Sequence, residues 1–126
     1  MAITITCSPA MLGWLGKAFP NATKISVFKQ FEQNEISDEQ MKSLIKQGII
    51  DDKAEISPAV YAILKTLAYA DTAFRIQLIK LSNVSEKTAY FFEEQGVSVD
   101  QQGGVYTIRY PIRSEEHTSE LQSRHN

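Results

Sequence analysis

The hydrophobic pattern of this chain shifts from helical to strand period near Asp71, and that change places a pair of helices ahead of an antiparallel sheet. Before it, Val60, Ile63, Leu64, Leu67 and Ala68 recur at i, i+3, i+4, i+7 and i+8, the apolar stripe of a helix expected to end close to Ala70-Asp71. After it, Phe74, Ile76 and Leu78 alternate with Arg75 and Gln77 as on a half-buried strand, and Ile79 and Leu81 reverse the apolar parity near its end. Earlier in the chain, Ala2 to Thr6 alternates as a short strand. Ser8-Pro9 then opens a helix carrying Met11, Leu12, Trp14 and Leu15, because Ser caps free amides and Pro at the first helical position gives up an amide without a partner. That helix should stop near Phe19-Pro20. Gly13 and Gly16 weaken it, and close packing explains them better than a ligand does. Lys24 to Gln30, with Ile25, Val27 and Phe28, is expected to form a second short strand.

Ser37 to Gln40 is a capping box that starts another helix, with Met41, Leu44 and Ile45 as its stripe and Gly48 placed for a left-handed end. Ile49 and Ile50 lead into the polar turn Asp51-Asp52-Lys53, and Ser57-Pro58 repeats the Ser8-Pro9 start. Beyond Asp71, further strands are expected at Lys87 to Glu93, Gly96 to Asp100 and Gly104 to Ile112, the last two joined through Gln101-Gln102-Gly103-Gly104. The order predicts an α+β fold: a short N-terminal strand and helix, two helices, then an antiparallel meander of three to four strands.

The last fourteen residues are set apart from this scheme. Arg113 to Ser123 reads RSEEHTSELQS, which looks like the conceptual translation of the adapter used in short-read sequencing libraries. Residues 113–126 are therefore excluded as a non-native tail that adds nothing to the fold. Residues 1–112 are expected to form a single domain, truncated where the gene's own sequence gives way near Pro111 and Ile112. The whole chain has 13 basic and 15 acidic residues; without Arg113, Arg124, Glu115, Glu116 and Glu120 this becomes eleven against twelve, a net −1. Such a balance lacks the basic field that attracts nucleic acid or anionic lipid. The preference for Lys over Arg points to an AT-rich bacterial genome. A lone Cys7 forms no internal disulfide, MAITITCSPAMLGWLG has no charged leader before its apolar residues, and no apolar run approaches the ~20 residues of a membrane span, so the expected compartment is the cytoplasm.

Catalytic chemistry has little to work with. His117 and His125 both lie in the tail, which leaves residues 1–112 without an imidazole for a triad or a His/Cys zinc site. Cys7 has no basic neighbour to activate it and reads as a small core residue. No phosphate-binding Gly-rich loop is present. Asp51, Asp52 and Glu55 form the one tight acidic group, but they lack the spacing of a calcium loop and read as a solvated turn. Glu93-Glu94, taken as neighbouring strand residues, would point to opposite faces and could not flank one substrate atom. The expectation is no enzyme, no metal, no cofactor and no small-molecule substrate.

The aromatic residues carry the positive expectation. Tyr90 and Phe92 should face one way and Phe91 the other, while Tyr106 and Tyr110 share a face with Ile108. Such a sheet is apolar on both sides, and missing C-terminal elements or a partner must cover what the short helices cannot. Tyr90, Phe92, Val97, Val99, Tyr106 and Ile108 are the candidate partner-binding residues, and the partner expected is another protein. The alternative is a winged-helix-like DNA-binding protein, with Ser57 to Ala70 as its recognition helix. That helix carries one basic residue, Lys65, the connection Gly48 to Ile56 exceeds a helix-turn-helix turn, and Lys42, Lys46, Lys65 and Lys80 would have to cluster.

From Ser37 to Leu81, the run that includes SDEQMKSLIKQGIIDDKAEISPAVYAILKTLAYADTAFRIQL resembles the N-terminal part of the EspG-like chaperones of type VII secretion systems. The shared pattern is an acidic helix start, Leu-Ile before Gly, a hydrophobic pair, a polar turn, a Ser-Pro cap, a Leu-rich helix and entry into a β-meander. The resemblance implies a chaperone that holds the α-helical hairpin of a secreted effector soluble in the cytosol and uses no cofactor. It also implies a protein about twice as long, with a second half related to the first. It transfers no contact residue by position.

Overall fold

The computed structural model describes residues 2–31, 35–80 and 83–112, apart from the side chains at 78, 80 and 83. The expectations for the tail, including its lack of fold, and for the parity change at Leu81 lie outside the described residues. Three α-helices, α1 (Pro9–Leu15), α2 (Asp38–Lys46) and α3 (Pro58–Ala68), accompany five strands: β1 (Ile3–Cys7), β2 (Thr72–Lys80), β3 (Asn83–Phe92), β4 (Gln95–Gln102) and β5 (Val105–Tyr110). The fold is α+β.

Local chemistry sets the helix starts. The Ser8 hydroxyl accepts a 3.2 Å bond from the Met11 amide, and Pro9 follows it. At α2 the capping box is reciprocal, since Gln40 N–H donates to the Ser37 hydroxyl and Ser37 N–H donates to Gln40 Oε1, each at 3.2 Å. Such caps stabilise a helix by about 1 kcal/mol. Ser57 stands at the same position before α3 with extended backbone, but its side chain makes no capping bond, so Pro58 alone pre-sets that first turn. Gly48, at φ +78, ends α2 in the left-handed region. The α2 stripe is narrower than expected, because only Leu44 is buried, Met41 is half-buried and Ile45 is exposed.

All strand pairings are antiparallel, in the order β1-β5-β4-β3-β2. β2 to β5 form the meander, and β1 returns from the N-terminus to pair with β5, Ile5 opposite Ile108. Period-2 alternation divides the sheet into an inner face and an outer one. On the inner face, Ile5, Cys7, Tyr90, Val97, Val99, Tyr106 and Ile108 pack with Leu12, Leu15, Ile63, Leu64 and Leu67 of α1 and α3 as one core.

Lys24 to Gln30 is not a strand. Residues Val27–Gln30 form a 3-10 turn, closed when Phe28 N–H donates to the Ser26 hydroxyl at 3.2 Å and Lys29 N–H to the Ser26 carbonyl at 3.1 Å. Val27 and Phe28 are both buried, although a strand would send such neighbours to opposite sides. The Phe28 ring stacks on Phe19 at 5.6 Å, and a Cβ added at Gly16 would lie 3.4 Å from Phe28 Cβ, so that glycine serves packing. Glu93-Glu94 likewise occupies the turn of the β3–β4 hairpin, not a strand, with Glu93 at φ +56.

The edge at β1 is closed by a side chain from elsewhere. Thr6 N–H donates to Gln47 Oε1 at 2.8 Å, and Gln47 Nε2 donates to the Thr6 carbonyl at 2.9 Å, the two bonds a neighbouring strand would supply. Gln47→Ala should therefore lower unfolding free energy by about 1 kcal/mol and speed hydrogen exchange at the Thr6 amide. Exchange at Thr6 unchanged by the substitution would show that Gln47 does not hold that edge.

Candidate functional site

The six residues expected to bind a partner do come together, on the inner face. Tyr90 pairs with Val97, and Val99 with both Thr88 and Ile108. Their exposure, however, is 2% for Tyr90, 0% for Val97, 4% for Val99, 8% for Tyr106 and 1% for Ile108. These five are core, and Phe92 alone is half-buried. The helices have help in covering this face, because the segment after α1 adds Val27 and Phe28 to the core, and Phe31 meets Tyr106 edge-on at 5.2 Å. Burial raises the phenol pKa of both Tyr90 and Tyr106 above the ordinary value.

Phe92 reaches an open cleft of about 500 Å³ between α3 and one end of the inner face. Ala59, Ala62 and Ile63 form its helical wall, and Ile3, Phe92 and Tyr110 form its sheet wall, with Lys65 and Glu93 at the rim. Small residues on α3 leave the space that a larger side chain would fill. Two of the polar side chains in its lining are already engaged: Tyr110 OH donates to Gln95 Oε1 at 2.7 Å, and Thr66 OH donates to the Ala62 carbonyl at 3.2 Å.

A second accessible region is the β2–β3 ribbon. β3 pairs with β4 only from Glu86 onward, whereas its pairing with β2 continues to Asn83, so the end of the hairpin runs past the sheet as two strands. There Ile79 and Val84 lie opposite each other with exposures of 74% and 56%. On the outer face, Phe74 is half exposed and meets Phe91 edge-on at 5.9 Å. The Phe91 ring also lies over Gly96, where an added Cβ would come within 2.8 Å of it. Arg75 and Glu86 form a 3.0 Å ion pair across the ribbon. Strand pattern at Asn83 to Glu86 gave no signal in the sequence, because Asn-Val-Ser-Glu has one apolar residue.

The remaining candidates have ordinary roles. Asp51 Oδ1 accepts from the amides of Lys53 and Glu55, each at 2.9 Å, and so closes its own turn. Cys7, at the end of β1, is buried on the inner face of the sheet, and desolvation pushes its thiol up to about 12, the opposite of activation. No group of three His, Cys, Asp or Glu suited to a metal occurs among the described residues. Lys42 and Lys46 stand on α2 and Lys65 on α3, all exposed, while the Lys80 side chain lies outside the described residues. No helix among the described residues is long and apolar enough to cross a membrane. Among known proteins, no family model and no curated protein matches the chain.

Proposed function

We propose that this chain is a cytoplasmic, non-enzymatic protein-binding module, and that it acts as a chaperone for a helical partner of the kind exported by type VII secretion. The observation that supports this is the end of the β2–β3 ribbon, where the opposed pair Ile79 and Val84 is exposed although the same face of the sheet buries Tyr90 and Val97 under the helices. Large apolar side chains kept in water at a protruding element are a feature of protein interfaces. A helical partner suits the ribbon because an amphipathic helix offers a continuous apolar stripe to a flat strand pair. The resemblance of Ser37 to Leu81 to EspG-like chaperones agrees in kind. The recognition residues proposed are Ile79 and Val84; Phe74 projects from the opposite face of the ribbon, Phe92 lies eight residues along β3 from Val84, about 26 Å at strand spacing, and Tyr90, Val97, Val99, Tyr106 and Ile108 are core.

DNA binding would draw on α3, whose exposed residues include Tyr61, Ala62 and a single cation, Lys65. That surface is a poor reader of base edges. The test pairs a pull-down of small helical proteins encoded beside this gene with a duplex-DNA shift at low salt. Ile79→Ser with Val84→Ser should weaken partner capture by tenfold or more, about 1.4 kcal/mol, while leaving the thermal midpoint nearly unchanged. Salt-sensitive DNA binding with no protein captured would reverse the proposal.

A further inference from the structure

The two edges of the sheet are treated differently. Gln47 occupies the hydrogen-bonding edge of β1 at Thr6, whereas among the described residues nothing pairs with the outer edge of β2, a strand of nine residues. An open edge of that length is a template for another strand. We propose that β2 pairs with β2 of a second copy of this chain, antiparallel about a two-fold axis at Ile76, so that two five-stranded sheets join into one of ten strands. This interface uses the edge of β2 and goes beyond the partner binding proposed for one face of the ribbon.

Three features favour a second copy over an unrelated strand. With the axis at Ile76, residues 72–80 of both copies pair along their whole length, and each even-numbered residue meets an even-numbered one. The outer face then joins Phe74 and Ile76 from both copies, while the inner side sets Arg75 opposite Gln77. No two like charges stand directly opposite, and each Arg75 already has Glu86 of its own chain at 3.0 Å. Finally, residues 78–80 belong to the two-stranded extension beyond β4, and pairing with residues 72–74 of the other copy gives it a third strand, the usual minimum for a stable sheet.

Light scattering on the full chain after size exclusion should return twice the 14.2 kDa chain mass. Ile76→Lys places two ammonium groups together at the axis and should weaken association about tenfold or more. Ile76→Glu should do the same, and mixing the two variants should restore a dimer, a result that misfolding of either one would not give. A wild-type chain that stays monomeric at every soluble concentration overturns the proposal, as does a dimer indifferent to both substitutions. Because the readout needs no other protein, its failure is separable from failure of the chaperone proposal.

Discussion

Leu64→Ala is expected to remove about 3–5 kcal/mol of unfolding free energy, a large part of the roughly 5–15 kcal/mol that holds a domain of this size together. Leu64 is fully buried on α3, in the layer that covers Tyr90 and Val97, and truncation leaves a cavity that neighbours on both α3 and the sheet cannot all move to fill. Phe74→Ala removes a larger side chain but one that is half exposed on the outer face, and should cost no more than about 1 kcal/mol. Urea unfolding followed by circular dichroism measures both. Equal losses at the two positions would mean that the outer face around Phe74 is as well covered as the inner one, against its half exposure in the structure.

What the sequence made legible was the chemistry of neighbours. Ser8-Pro9, the Ser37–Gln40 capping box, Gly48 at φ +78 and the Gly103-Gly104 turn, with φ of +59 and +80, act within a few residues and could be read without a fold. The change of period at Asp71 was similarly local, and with it the fold class. Contacts between distant parts of the chain left no such trace. The return of β1 to β5 and the Gln47 bonds to Thr6, 41 residues apart, depend on how the layers assemble.

The candidate site failed to be legible for a related reason. Alternation assigns Tyr90, Val97, Val99, Tyr106 and Ile108 to one face but does not say which face the helices will cover. α1 and α3 cover that face with help from the stretch after α1, where Ile25, Val27 and Phe28 resemble a strand in composition yet fold as a capped turn that presents Val27 and Phe28 to the core. Conversely, Asn83 to Glu86 is strand because β2 pairs with it, not because of its own propensity. The ribbon's exposed pair, Ile79 and Val84, was foreshadowed only by the reversal of apolar parity near the end of β2.

A second large effect is expected in alkali, and it follows from Cys7. The thiol is buried, and desolvation lifts its pKa from 9.0 to about 12. Below about pH 8 it is protonated in both folded and unfolded chains, so it contributes no pH dependence there. Above pH 9 the unfolded chain releases this proton while the folded chain retains it until about pH 12, which means the native state binds more protons across that window and stability must fall as pH rises. The slope approaches about 1.4 kcal/mol per pH unit. Tyr90 and Tyr106, also raised by burial, act in the same direction and remain in a Cys7→Ala variant, so comparison of the two proteins isolates the thiol. Between about pH 8 and about pH 10.5, with reductant present, the wild-type chain should lose about 2 kcal/mol more than Cys7→Ala. Parallel stability curves would show that Cys7 is solvated in the folded state, and that β1 does not sit over the core as the pairing of Cys7 with Tyr106 requires.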